Sequence, residues 1–224
     1  MNDKSIAESW LANAQAWTDI VRSDGIASRR LGTNAAVVAA VAGLAPATLL
    51  DVGCGEGWLC REFSARGVDC VGVDGSPPLV EAARGAGGGR FEVADYATLT
   101  QGDTLPGPFD AIVCNFALLD EGIVPLLTGL RRRLAASGHL VIHTVHPWEA
   151  CGEQGYADGW RTETFSAFGA GRFPSAMPWY FRTLPRWIAD LREAGLVLAG
   201  LHEPHDPDTG RPLSLLMIAA PRAA

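Results

Sequence analysis

From Thr48 onward the apolar positions fall in short solid runs separated by amphipathic stretches, the pattern of buried strands alternating with helices. Strands are predicted over 48–52, 69–73, 90–94, 109–114 and 138–145, with helices over 57–66, 76–85 and 121–135 between them. Connections this short are those of right-handed βαβ crossovers, and so of a parallel sheet. A helix over 184–194 and strands over 196–202 and 213–219 follow. The polar, proline-rich stretch from His202 to Pro212 suits a hairpin, which makes the final pair antiparallel. Ahead of the sheet, Ser5-x-x-Glu8 reads as a capping box, and Ile6, Trp10, Ala14, Trp17 and Val21 share one helical face. After a polar break from Ser23 to Arg30, Asn34 to Leu44 predicts a second helix, closed by Pro46. The tryptophans of this region are either plain packing residues or part of a lid.

The first strand, Leu49-Leu-Asp-Val, runs straight into Gly53-Cys-Gly55-Glu-Gly57-Trp58. Glycines at this spacing let the backbone turn tightly beneath a ligand and open the next helix. The dinucleotide fingerprint Gly-x-Gly-x-x-Gly would need its third glycine at position 58, where Trp58 stands, and no Gly-Lys-Ser/Thr of a phosphate loop follows. Any glycine-rich turn after a strand can be only a turn. A second strand ends in Asp74, about 20 residues beyond the loop, where sheet geometry brings a carboxylate to a ribose edge. Asp74 can equally cap the helix beginning near Ser76-Pro77.

Asp51-x-Gly53-x-Gly55-x-Gly57 resembles the first motif of the class I methyltransferases that use S-adenosylmethionine (SAM), and the resemblance covers approximately residues 46–220. It implies a Rossmann-like α/β fold: a seven-stranded, mostly parallel sheet with an antiparallel C-terminal strand and helices on both faces. It divides the chain into a helical extension over 1–45 and a SAM-binding domain over 46–224, with an aromatic-rich insertion at about 147–182. It further implies that Asp51, Gly53, Cys54, Gly55, Gly57 and Trp58 surround the cofactor, joined by Asp74, Gly75 and Ser76 at the ribose. Asp95 would accept the adenine amine, with Ala94 or Tyr96 supplying backbone bonds and a flat wall. Asn115, Phe116 and Ala117 would line the methionine arm. Enzymes that methylate amino groups of nucleic acids or protein amides carry an Asn/Asp-Pro-Pro-aromatic tetrad there. Asn-Phe-Ala-Leu departs from it and turns the reading toward small molecules.

At 224 residues, with 48% hydrophobic and 19% charged residues, the chain suits one α/β domain with an added subdomain. The net charge of -7 argues against a broad nucleic-acid surface, and Arg131-Arg132-Arg133, the one compact basic run, suits a helix C-terminus. The five cysteines, Cys54, Cys60, Cys70, Cys114 and Cys151, lack any Cys-x-x-Cys pair and read as reduced thiols. The start, Met1-Asn2-Asp3-Lys4, leads into a polar helix. No secretory leader or membrane span is therefore expected, and the location expected is the cytoplasm.

A methyl on a sulfonium is already activated, so the protein must mainly align a nucleophile and exclude water. His146, ending strand five, is a candidate base or else a lid anchor. Trp148, Tyr156, Trp160, Phe165, Trp179, Tyr180 and Phe181 either wall an acceptor or pack the insertion; Trp148, Trp179 and Tyr180 are the candidate substrate contacts, and Tyr180 is a second catalytic candidate. Arg182 would pair with a substrate carboxylate or a neighbouring acid. Arg29 or Arg30 would reach the cofactor's carboxylate. His143-x-x-His146 and His202-x-x-His205 suit no metal, because residues three apart on a strand face opposite ways and the second pair lies in a turn. The expected activity is transfer of methyl from SAM to a small molecule, leaving S-adenosylhomocysteine (SAH), by a monomer or homodimer. The alternatives are a tRNA or protein methyltransferase, a nicotinamide oxidoreductase and a non-catalytic SAM-binding domain.

Overall fold

The solid apolar runs become a central sheet whose two faces are both covered. A computed structural model describes residues 3–101 and 107–222; Met1 and Asn2 lie outside the described residues. The strands are β1 (Thr48–Val52), β2 (Asp69–Asp74), β3 (Arg90–Val93), β4 (Phe109–Asn115), β5 (Leu134–Thr144), β6 (Gly159–Glu163), β7 (Met177–Phe181), β8 (Leu196–His202) and β9 (Leu215–Pro221). Seven of them form one sheet in the order β3-β2-β1-β4-β5-β9-β8, and β6 and β7 form a separate hairpin. All pairings from β3 to β5 are parallel, and β9 runs antiparallel between β5 and β8, as expected of a Rossmann-like methyltransferase sheet.

The helices are α1 (Asp3–Arg22), α2 (Asn34–Gly43), α3 (Trp58–Ser64), α4 (Pro77–Ala86), α5 (Tyr96–Gln101), α6 (Val124–Arg132), α7 (Pro147–Ala150) and α8 (Leu184–Glu193). Successive strand residues point to opposite faces. Leu50, Ile112 and Leu140 pack with Leu99 of α5, Leu127 of α6 and Leu191 of α8. Leu49, Val113 and Val141 pack with Val41 of α2, Phe63 of α3 and Val80 of α4. This two-sided burial is why the strands read as unbroken apolar runs.

Several boundaries move for identifiable reasons. Gly57 is left-handed (φ 84), so α3 opens at Trp58, and its C-terminal turn closes before left-handed Gly67. Helix α1 begins at Asp3, which puts Ser5 inside the helix and not at a capping box. Its most buried positions include Ser9, Asn13 and Ile20, while Trp10 and Trp17 are only half-buried. Strand β9 starts at Leu215 and not at 213, because Leu213 and Ser214 still bond to the Pro204 carbonyl across the turn. Helix α5, the β6–β7 hairpin and α7 were absent from the sequence-based elements. Among the described residues, no helix is long and apolar enough to cross a membrane.

Strand order reverses direction at β1, where the chain steps outward to β2 and β3 and then returns to β4 and β5. Such a switch opens a crevice at the carboxyl ends of the strands, where ligands of open α/β sheets bind.

Candidate functional site

A cavity of about 510 Å³ lies in that crevice, within the range of small-molecule sites. Its floor is the glycine loop. Gly53, Gly55 and Gly57 all have positive φ, a conformation that costs other residues. A Cβ on Gly53 would sit 2.5 Å from the Ala117 Cβ, and one on Gly57 2.9 Å from the Phe91 ring. The amides of Gly53 and Cys54 donate to the Val73 carbonyl at 2.8 and 3.0 Å, which ties the loop to the end of β2.

Asp74 braces this loop and faces the cavity at once. Its Oδ2 accepts from the Gly55 amide at 2.9 Å and its Oδ1 from the Ser76 amide at 2.8 Å. Asp74 thus ties the glycine loop to the residue before α4 while bordering the cavity. Burial raises its pKa. Asp51, at the end of β1, is buried, and the Cys60 thiol donates to it at 3.9 Å. Burial first, and the Asp74 charge second, push its carboxyl up to about 8.

Glu56, in the middle of the loop, carries no motif signal, yet it is buried and lines the cavity. It accepts from Arg22 of α1 at 3.0 Å and from Arg61 of α3 at 2.6 Å, so it joins the N-terminal helix to the loop. An acid within a glycine run, flanked by arginines a helix turn away and far upstream, was the available clue. Arg29 lines the cavity with its guanidinium 5.4 Å from both the Trp17 and Trp58 ring centroids. Burial lowers its pKa to about 10. Arg30 does not reach the cavity: it turns away and donates to the Asp24 carbonyl, so of the two arginines Arg29 is the one that borders the cavity.

Gly75, Ser76, Asp95, Tyr96, Asn115, Phe116 and Ala117 all lie on the cavity wall. Asp95 accepts from the Thr98 amide at 2.8 Å and the Thr98 hydroxyl at 2.6 Å, capping α5. These bonds hold its carboxyl below the usual range. The Tyr96 hydroxyl donates to the Ala117 carbonyl, fastening α5 to the end of β4. Phe116 is left-handed (φ 55), an unusual state for a bulky residue, and its amide donates to the His143 carbonyl at 2.7 Å.

The roof comes from both ends of the chain. Ile6, Trp10 and Trp17 of α1 meet Phe165, Phe168 and Met177 of the insertion. Trp10 packs edge-on to Phe165, and Trp17 to Phe168. Asn13 clamps the two pieces, donating to the Ser175 carbonyl at 2.6 Å and accepting from the Ser175 amide at 3.1 Å.

Of the candidate acceptor contacts, Trp179, Tyr180 and Arg182 border the cavity. Trp148 does not: it is 66% exposed and packs beside Tyr156 on the outside of the insertion. Trp160 packs edge-on to Tyr180, off the cavity lining. Burial raises the Tyr180 pKa above its ordinary value. Arg182 is 2% exposed and engaged internally. Its Nε donates to Asp190 at 3.0 Å, and Nη2 donates to the carbonyls of Asp120 and Glu121. Asp190, eight residues on, is the neighbouring acid that Arg182 holds, while Arg182 itself still borders the cavity. His146 lies off the cavity lining, with Nε2 2.8 Å from Glu203, between the start of α7 and the turn after β8. Among the described residues, no group of three or more His, Cys, Asp and Glu side chains is arranged to hold a metal ion.

Comparison with known proteins accords with this geometry. A family described as a methyltransferase domain matches residues 26–198. An uncharacterized methyltransferase of Schizosaccharomyces pombe is 28% identical over 157 residues, covering 66% of this chain and 58% of the relative. The ubiquinone biosynthesis O-methyltransferase of Xylella fastidiosa is 38% identical over 108 residues, covering 46% of this chain and 44% of the relative. The chain thus spans about half the length of these curated relatives. Among solved structures, an S-adenosylmethionine dependent methyltransferase from Mesorhizobium loti superposes with a TM-score of 0.61 at 26% identity, covering 77% of this chain and 90% of that one. The Burkholderia thailandensis 1,6-didemethyltoxoflavin-N1-methyltransferase, solved with its substrate and SAH, superposes with a TM-score of 0.66 at 19% identity over 98% of this chain and 88% of that one, a likeness of fold. A family match across most of the length, on a sheet and glycine loop of this form, shows that the chain belongs to the methyltransferase-domain family.

Proposed function

We propose that this chain transfers a methyl group from SAM to a small, largely apolar acceptor held beneath the α1–insertion roof, leaving SAH. The carrying observation is a single cavity whose floor is the Asp51–Gly57 loop and whose roof is aromatic. Bound SAM supplies a methyl on a sulfonium that departs as a neutral thioether. The glycine loop gives the methionine arm a close backbone approach, as the space a Cβ on Gly53 would need is already taken by Ala117. Asp74 offers carboxylate lone pairs to the ribose hydroxyls, Asp95 and Tyr96 flank the adenine, and Arg29 stands as the cation for the methionine carboxylate. Trp10, Phe165, Phe168 and Trp179 exclude water and give the acceptor flat apolar walls.

A small acceptor fits a net charge of -7 and a roof built of apolar rings, neither of which suits a phosphate backbone. Two relatives act on small molecules by their names, one in ubiquinone biosynthesis and one on didemethyltoxoflavin. All five cysteines are free thiols, which supports a reducing, cytoplasmic setting.

The test has two stages. Titration with SAH measures the cofactor site; no binding would overturn the whole reading. Incubation with methyl-labelled SAM and fractionated cell extract then locates the acceptor. Label in the small-molecule fraction is expected, and label confined to tRNA or protein would overturn the small-acceptor assignment.

A further inference from the structure

In the sequence His143 stands out only as half of a His-x-x-His pair. In the fold it sits near the end of β5, 1% exposed, with each ring nitrogen engaged: Nδ1 is 2.8 Å from Asn115 Oδ1, and Nε2 is 2.8 Å from Ser214 Oγ. Ser214 is fully buried as well. Burial, and then the Arg29 charge, holds the imidazole pKa down at about 3, so the ring is neutral throughout the working range. An amide oxygen only accepts, so in this arrangement Nδ1 carries the proton and bare Nε2 accepts from the Ser214 hydroxyl. The chain of bonds has one direction, from Ser214 through His143 to Asn115.

That direction decides what Asn115 shows to the cavity it lines. Its oxygen is taken by His143, which leaves the two Nδ2 hydrogens, and these have no partner among the described residues. His143 fixes the neighbour too: its carbonyl accepts the Phe116 amide at 2.7 Å, and the two rings lie 4.7 Å apart. The left-handed turn at Phe116 is thereby held on both its backbone and its side chain.

We propose that His143 is a positioning residue that locks Asn115 with its amide hydrogens turned into the cavity, where they donate to an oxygen of a bound ligand. The inference rests on the methyltransferase reading for the ligands that supply this oxygen: the cofactor's carboxylate or an oxygen of the acceptor. The amide accepts nothing from the ligand, so a ligand N–H or O–H does not donate to Asn115.

The first test needs neither variant nor acceptor. A long-range nitrogen–proton NMR spectrum of labelled protein is expected to show His143 as the Nδ1–H tautomer, with no titration between pH 5 and 9. An Nε2–H tautomer overturns the proposal, whereas failure of SAH to bind overturns the cofactor reading and leaves the tautomer result standing. The second test is a cycle of Asn115→Ala, His143→Ala and the double variant, with His143→Asn as a conservative donor in case His143→Ala does not fold. SAH affinity about tenfold weaker in both single variants assigns the oxygen to the cofactor. SAH affinity intact, with a Michaelis constant about tenfold higher for the labelled acceptor, assigns it to the acceptor. In either arm the double variant is expected to be no worse than Asn115→Ala, and His143→Asn to recover part of the loss. Additive losses, or Asn115→Ala with both quantities unchanged, overturn the proposal.

Discussion

On the proposed reading Asp51 is expected to make cofactor binding depend on pH, in a sense that its burial beside Asp74 sets. Its carboxyl is buried near Asp74, with a weak thiol donor and the partial help of Arg29, and titrates at about 8 in the free protein. An unfolded chain titrates this group near 3.8, so between these values the folded state holds a proton that the unfolded state has lost. Asp51 therefore lowers stability as pH rises from about 4 to about 8 and changes little beyond; at about 1.4 kcal/mol per pH unit, the loss is on the order of 5 kcal/mol at most. Binding works in the other direction. In the proposed cofactor pose the ammonium of the methionine arm faces Asp51 and favours the carboxylate, so binding below pH 8 is expected to expel a proton. SAH affinity is expected to rise by up to about tenfold per pH unit between pH 6 and 8 and then to level off. Calorimetric titration at pH 7 in two buffers of different ionisation enthalpy is expected to report release of about one proton, and Asp51→Asn to abolish both the release and the slope. Equal enthalpies in the two buffers, with a flat affinity profile for the wild type, would refute the reasoning.

Three other perturbations probe separate parts of the site. Arg182→Ala breaks a buried pair with Asp190, which keeps Arg186 at 2.7 Å; the expected cost is about 3 kcal/mol, or a melting point lower by about 6–12 °C in scanning calorimetry. A shift below about 2 °C, with weakened binding of carboxylate acceptors alone, would return Arg182 to the substrate. Gly53→Ala is expected to weaken SAH binding more than about tenfold through its clash with Ala117, and adding Ala117→Gly to restore part of it; no recovery would show that the clash is not the cause. Asn13→Ala removes the bonds between α1 and Ser175 and is expected to speed SAH release in stopped-flow measurements by about tenfold; an unchanged off-rate would separate the roof from ligand exit.

The sheet was legible because burial on both faces writes unbroken apolar runs such as Leu49–Val52, and the loop because three alternating glycines at positive φ leave a spacing no other residue type satisfies. What stayed hidden depends on partners far away in sequence. Glu56 meets Arg22 across 34 residues and His146 meets Glu203 across 57, distances over which no local pattern carries information. Arg29 and Arg30 differ by one residue, and only the turn at the start of α2 decides which of them enters the cavity. The β6–β7 hairpin was obscured because Met-Pro-Trp-Tyr-Phe has no polar alternation to mark it as a strand.

The roof that α1 contributes bears on how this protein relates to its family. The shared methyltransferase stretch begins at residue 26, after α1 has ended at Arg22. The loop and strand ends that would carry the common chemistry fall inside that stretch, whereas Ile6, Trp10 and Trp17, which help shape the space above them, fall outside it. The roof is thus shared between a length of chain outside the family stretch and the insertion inside it, where Phe165, Phe168 and Met177 stand. Exchanging the first twenty-odd residues would reshape one side of the chamber and would also remove Arg22, the partner of Glu56 in the glycine loop. For this protein, the likeness to its family takes in the floor of the chamber whole and its roof only in part.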